Sequence, residues 1–299
     1  MLLRHSFALL LLLAAIPGFA RKDRAEALRQ SLQGIVDTAR AHIGVGVLDL
    51  DTGDKLLING NDSFPMQSVF KFPLAIAVLH QMEQEKKPLS TPVSLSRKNM
   101  EANTWSPMLR DHKEEQIRIT LGELLSYSVK KSDNNACDAL FRLADGTLVV
   151  DQYIKSLGIK GMAIKATEAE MRMAWPVQYT NSCRPDAMLQ LLQQFYRKKL
   201  LSPEHQQFLW QIMTDSENPA DRIKGLLPAQ AVVTHKTGTS DTNEQGLTAA
   251  TNDVGIISLP NGRHIALVVY VSDFKGGTAR GAHLIAIVAK AVWDHYSDK

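Results

Sequence analysis

Cysteine is scarce in this chain: Cys137 and Cys183 are the only two in 299 residues, too few for a disulfide scaffold. Spacing alone does not bring their Cα atoms within bridging distance, so a bridge stays open beside the reading adopted here, two free buried thiols. No Cys/His pattern accompanies either one, which argues against a thiol nucleophile. Neither sign of charge dominates, with 34 basic and 31 acidic residues spread along the chain, and no nucleic-acid partner is implied. The nine histidines show no H-x-H-x-D or H-E-x-x-H spacing. A zinc hydrolase is therefore unsupported, no metal or organic cofactor is expected, and His235 reads as a strand residue facing away from its neighbour Lys236. Also missing are internal repeats, a low-complexity linker and any apolar run of the ~20 residues that a membrane-spanning helix needs. These exclusions leave an ordinary globular protein, 44% hydrophobic and 22% charged, with room for one large domain or two small ones.

What is present begins with an export signal. Arg4 and His5 precede an apolar run over residues 7–16, and Gly18, Phe19 and Ala20 put small residues at both cleavage-determining positions. That is the pattern of a secretory signal peptide cut after Ala20. Ala27, Leu28, Leu32, Ile35 and Val36 then recur at helical spacing over 22–40, and Ile43, Val45 and Val47 alternate with Gly44 and Gly46 as a strand over 43–50. A turn at 51–54 returns a second strand over 55–58. Residues 64–79 continue as a helix, 89–118 read as irregular, and Thr120 with Glu123 forms a capping box that opens another helix. Residues 132–135 interrupt it before a helical pattern resumes over 136–143. Residues 163–181 show neither period, and a loop of about 19 residues is more often functional than decorative. Helices are expected over 185–199, 203–213 and 281–296, and strands over 232–236, 248–259 and 264–271. Pro260-Asn261-Gly262 turns the last two strands into an antiparallel hairpin. A hairpin at one end and strands at the other predict a single sheet assembled from both termini.

The chemistry centres on residues 64–73, Phe-Pro-Met-Gln-Ser-Val-Phe-Lys-Phe-Pro. If a helix starts after Pro65, Ser68 and Lys71 share a face at i and i+3. Serine is a poor nucleophile unless a base or a cation assists it, and a buried lysine can serve. The bland alternative is a helix cap at Ser68 and a lysine snorkelling from a buried helix. Two further groups tilt the balance. Ser132-Asp133-Asn134 sits at a helix interruption, and Lys236-Thr237-Gly238 ends an apolar strand whose edge can face the serine. Each has its own plain reading, as a cap or a basic strand end, but all three occur together and in order.

With these motifs in this order the sequence resembles a class A serine β-lactamase across essentially the whole mature chain, residues 21–299. The resemblance implies an α/β (α+β) sandwich with one five-stranded antiparallel sheet. Its α/β part would come from residues 21–63 and 214–299, its helical part from 64–213, and the cleft would lie between them. It implies a periplasmic monomer that hydrolyses small-molecule β-lactams, with no stable membrane insertion after signal cleavage. Ser68 would be the acylating nucleophile, Lys71 its proton partner, Ser132 the relay to the leaving nitrogen and Lys236 the charge beside the substrate carboxylate. Asn134 would hold the amide of the acyl side chain, with Thr237, Gly238, Thr239 and Ser240 along it. The N–H groups of Ser68 and Thr239 would form the oxyanion hole.

Hydrolysis needs more than acylation. By the same resemblance Glu168, in Thr167-Glu168-Ala169-Glu170-Met171, is the general base for the deacylating water, and Glu170 is a solvated loop charge. Glu168 argues against the first rival, a penicillin-binding D,D-peptidase. The second rival, a noncatalytic penicillin-sensing domain, is opposed by the lack of a membrane segment beyond the signal. Arg172 departs from the common family pattern, in which an asparagine helps hold the water. Ala166 and Asn181 depart too, standing where an arginine and an aspartate usually pair to close the loop. Gln67, Glu168-Ala169-Glu170-Met171, Asn135-Ala136-Cys137-Asp138 and Thr237-Gly238-Thr239-Ser240 resemble an extended-spectrum cephalosporinase subgroup, which favours cephalosporins. Gln67 either orders the loop or its water, or bonds only local backbone. Trp105 falls where the family places an aromatic at the cleft entrance, the alternative being a packing residue.

Overall fold

The alternating stretch after residue 42 and the β-rich C-terminal third meet in one sheet. The computed structural model describes residues 17–297, so the apolar signal run at 7–16 lies outside the described residues. Helix α1 (Pro17–Thr38) leads into β1 (His42–Asp49) and β2 (Lys55–Ile58), and the two-residue β3 (Phe64–Pro65) precedes a 3₁₀ turn (Gln67–Phe70) and α2 (Lys71–Gln84). Eight consecutive apolar residues follow Lys71, an all-round pattern that suits burial on every side. Residues 71–79 are indeed all buried, which makes α2 the central helix of the larger core.

The stretch read as irregular holds a hairpin instead. β4 (Pro92–Ser96), the short α3 (Pro107–Asp111) and β5 (Gln116–Thr120) follow α2, with Val93 and Leu95 alternating inward against Ile117 and Ile119. Five residues per strand on either side of a long connection give too short a period to detect. The Thr120–Glu123 capping box opens α4 (Leu121–Val129), and α5 (Asn134–Leu143) follows the interruption. Helix α6 (Thr147–Ser156) has no counterpart in the sequence reading; it buries only Val150, Asp151 and Ile154. Residues 163–181 are not structureless. β6 (Met162–Ala163), α7 (Glu168–Met171), a 3₁₀ turn (Trp175–Tyr179) and β7 (Ser182–Cys183) run through them.

The chain closes with α8 (Pro185–Tyr196), α9 (Pro203–Thr214), β8 (Val232–Thr239), β9 (Leu247–Ser258), β10 (His264–Lys275) and α10 (Gly277–Ser297). The sheet runs β2-β1-β10-β9-β8, antiparallel throughout, so both termini build it as expected. Alternation sorts its side chains onto two faces. Val45, Val47, Leu267 and Val269 pack with α1 and α10, whereas Val254, Ile256, Val268 and Tyr270 join the larger core around α2. Gly44 makes that second face possible, since a Cβ there would come within 2.4 Å of the Phe64 ring. β8 is an edge strand, and its free edge carries Lys236 to Thr239. Among the described residues no helix is long and apolar enough to cross a membrane. Cys137 and Cys183 are free and buried, and burial pushes the Cys183 thiol up to about 12.

Candidate active site

Ser68 lies on the 3₁₀ turn rather than in α2, and it is the one residue of 64–70 that is not fully buried. The turn is tied from several sides. Asn252 of β9 donates from Nδ2 to the carbonyls of Pro65 and Met66, and Met66 N–H donates to Asn181 O. The residue before the nucleophile, Gln67, has φ +48°, a left-handed conformation costing on the order of 1 kcal/mol for a side-chain-bearing residue. Its Nε2 donates to Gln178 Oε1 at 3.0 Å with both side chains buried. Gln67 thus ties the nucleophile to the 163–181 segment, the first of its two readings.

Lys71 reaches Ser68 as the i, i+3 spacing requires, with Nζ 3.1 Å from Ser68 Oγ. It is fully buried and also donates to Ser132 O (2.8 Å) and Asn134 Oδ1 (2.7 Å), with Glu168 Oε1 at 2.9 Å. Ser68 Oγ in turn donates to Glu168 Oε1 at 3.3 Å. Hydroxyl, amine and carboxylate therefore form a closed triangle.

The second motif is both a helix cap and a site component. Asp133 caps α5 by accepting from Ala136 N–H, and its other oxygen accepts from Ser106 Oγ and Met108 N–H. Burial pushes its carboxyl up from the usual range. Ser132, at φ +57°, lies just before this cap. Its Oγ accepts from Lys236 Nζ at 2.9 Å, and Lys236 also donates to Thr237 O. Burial, reinforced by the charges of Lys71 and Arg222, pushes the Lys236 amine well below its ordinary value. Asn134 is engaged at both ends of its amide, by Lys71 and by Thr104 Oγ1.

Two of the loop departures, Ala166 and Asn181, find a structural counterpart. Asn181 accepts from Lys165 and Ala166 N–H groups and donates to Ala166 O, closing the segment through backbone where a charge pair was missing. Glu170 is exposed, as expected of a solvated charge, and it also completes a capping box with Thr167 at the start of α7. Arg172 is exposed and lines the cleft. Three supports escaped sequence reasoning because their roles depend on distant partners. Asp138 accepts from Glu168 and Ala169 N–H groups and so fixes the first turn of α7. Arg222 binds Gly238 O, Asn252 O and Thr239 Oγ1. Asn252 holds the nucleophile turn. The Thr167-x-x-Glu170 box was legible as a pattern, and Asp138 stood in a quoted stretch without a role; Arg222 and Asn252 left no signal.

A cleft of about 380 Å³ is lined by Gln67, Trp105, Asn134, Glu168, Thr239 and Ser240, among others. Trp105 is 55% exposed on the cleft wall, and its Nε1 donates to Lys131 O. Thr239 is exposed on the β8 edge, whereas the Ser240 hydroxyl is used internally on Asp241 O and Ala250 N–H. Thr237 and Gly238 lie buried along the same strand. His235 points the other way, with Nδ1 2.9 Å from Asp253 Oδ1.

Residues 27–296 match the family described as "Beta-lactamase enzyme family". The chain is 40% identical over 283 residues to the extended-spectrum β-lactamase PER-1 of Pseudomonas aeruginosa, covering 95% of this chain and 92% of that one. A solved β-lactamase from Chitinophaga pinensis is 48% identical with a TM-score of 0.87, over 90% of this chain and 98% of its own. The TLA-1 extended-spectrum β-lactamase structure superposes with a TM-score of 0.89 at 42% identity and the same coverage. The chain belongs to the β-lactamase enzyme family, on its class A branch.

Proposed function

We propose that this β-lactamase opens its substrates, cephalosporins foremost, through an ester on Ser68 that Glu168 then clears. It does so as an exported periplasmic monomer cut after Ala20, with residues 21–299 as one domain. The cephalosporin preference rests on its relatives, two of which carry extended-spectrum names. The mechanism rests on one observation: a single carboxylate oxygen, Glu168 Oε1, is within reach of both Ser68 Oγ and Lys71 Nζ.

Ser68 Oγ attacks the lactam carbonyl carbon as its proton passes to Glu168, and Lys71 donates to the oxygen as charge develops. The C–N bond breaks while the nitrogen takes the proton of Ser132, which Lys236 Nζ replaces. The low proton affinity of the buried Lys236 favours that transfer, after which Glu168 releases its proton to solvent and Lys236, beside the bound substrate carboxylate, takes one up from solvent. Net, the Ser68 proton ends on nitrogen and Glu168 is again a carboxylate. Water then gives a proton to Glu168 and its oxygen to the ester carbonyl. Ser68 leaves, regains a proton, and the product acid departs.

The acyl amide lies against the free β8 edge as an added strand. Ser240 N–H is bonded to Ala250 O within the sheet, so alternation turns Thr239 N–H to the open side, where it and Ser68 N–H receive the carbonyl oxygen. Glu168→Gln tests the scheme. Deacylation should slow by about 10²–10⁴-fold, the range for losing a general base, and intact mass should show an accumulated adduct on Ser68. Deacylation at the natural rate would remove Glu168 from its role.

A further inference from the structure

We propose that a basic hollow on the far side of Trp105 is a subsite for a carboxylate carried on the substrate's acyl side chain. The inference rests on the β-lactamase reading above and extends it to a distal part of the substrate. The hollow, about 330 Å³, shares Trp105 with the cleft as a common wall. Arg97, Arg110 and Lys113 supply its charge, and Met100 and Leu109 its apolar lining.

Among the described residues these three cations have no carboxylate at salt-bridge distance. Of the four acids of the same segment, Asp111 pairs with Tyr127 and Lys131 and Glu114 with His112, while Glu101 and Glu115 form no ion pair among the described residues, with these cations or any other. Arg97 donates to the carbonyls of Leu109 and His112. Arg110 and Lys113 are exposed, and the Arg110 guanidinium lies 4.7 Å from the centre of the Trp105 ring. A cluster of positive charge without a counter-ion, beside apolar surface, fits an anion on a short apolar spacer.

Continuity with the cleft identifies the source of that anion. Asn134, assigned to the acyl amide, bonds Thr104 through its side chain and Trp105 O through its N–H. An acyl arm leaving Asn134 therefore meets Trp105 next. The ring is fixed by its bond to Lys131 O and more than half exposed. An arm passing over it delivers its far end to Arg110 and Lys113.

Two cephalosporins of one nucleus test this, the first with a free carboxylate at the end of its acyl side chain and the second with the methyl ester of that carboxylate. The natural protein should prefer the acid through a lower KM, and the preference should shrink as salt is raised. In Lys113→Gln and in the double variant Arg110→Gln/Lys113→Gln, the acid-over-ester ratio of kcat/KM should fall, by about tenfold in the double. Arg110→Lys should retain the ratio, because it keeps the charge. Turnover of both compounds with a ratio that the glutamine variants do not move overturns the subsite alone. Turnover of neither compound overturns the β-lactamase reading and the subsite with it.

Discussion

At Gly238 the strand edge and the nucleophile's turn approach more closely than a side chain allows. A Cβ there would lie 2.5 Å from Met66 O and 3.1 Å from Gln67 Cβ, and Met66 is fully buried, with no room to give. Gly238→Ala is expected to cost about 1–3 kcal/mol, as overpacking does, and to lower kcat/KM by displacing Ser68. Thermal melting and steady-state kinetics check it; an alanine variant with unchanged melting temperature and rate would contradict the account. At this scale the sequence was informative where chemistry is local. Ser68 and Lys71 meet because they lie three positions apart, and Gly238 was visible as part of a motif. Gln67 was visible as an oddity, but its bond to Gln178 joins positions far apart in the chain. Arg222 and Asn252 were invisible for the same reason, since nothing in their local sequence says which backbone they meet.

The element that decides turnover is α7, four residues long and held from both sides. Thr167 and Glu170 cap it from within, and Asp138 of α5 binds its first N–H groups from outside. Burial, with the nearby Glu168 charge, raises the Asp138 carboxyl from 3.8 to about 6. Between those values the folded chain keeps a proton that the unfolded chain has lost. The stability linked to this group therefore falls as pH rises through the window, by at most roughly 3 kcal/mol. Urea midpoints measured from about pH 4 to about pH 7 should show that fall in the natural chain and lose it in Asp138→Asn; parallel curves would contradict the assignment. Long apolar elements such as α2 and the sheet strands were legible because their periods persist. The β4–β5 hairpin, α6 and α7 were not, because a few inward residues each do not make a period and tertiary partners stabilise them.

Across the whole molecule, the sheet from both ends of the chain brings the free edge of β8 to the turn at the head of α2, and α5 and α7 bring Ser132 and Glu168 to the same place. Three motifs far apart in sequence thus become one site, with Lys71 touching Ser68, Ser132, Asn134 and Glu168 at once. The order of the motifs made that convergence readable; the ties that hold it do not appear until the fold is in view. The most direct test mixes the mature protein with a chromogenic cephalosporin and follows colour and intact mass together. Many turnovers per molecule with no lasting adduct are predicted. A stable adduct on Ser68 without turnover, or no reaction at all, would contradict a serine β-lactamase that clears its own ester.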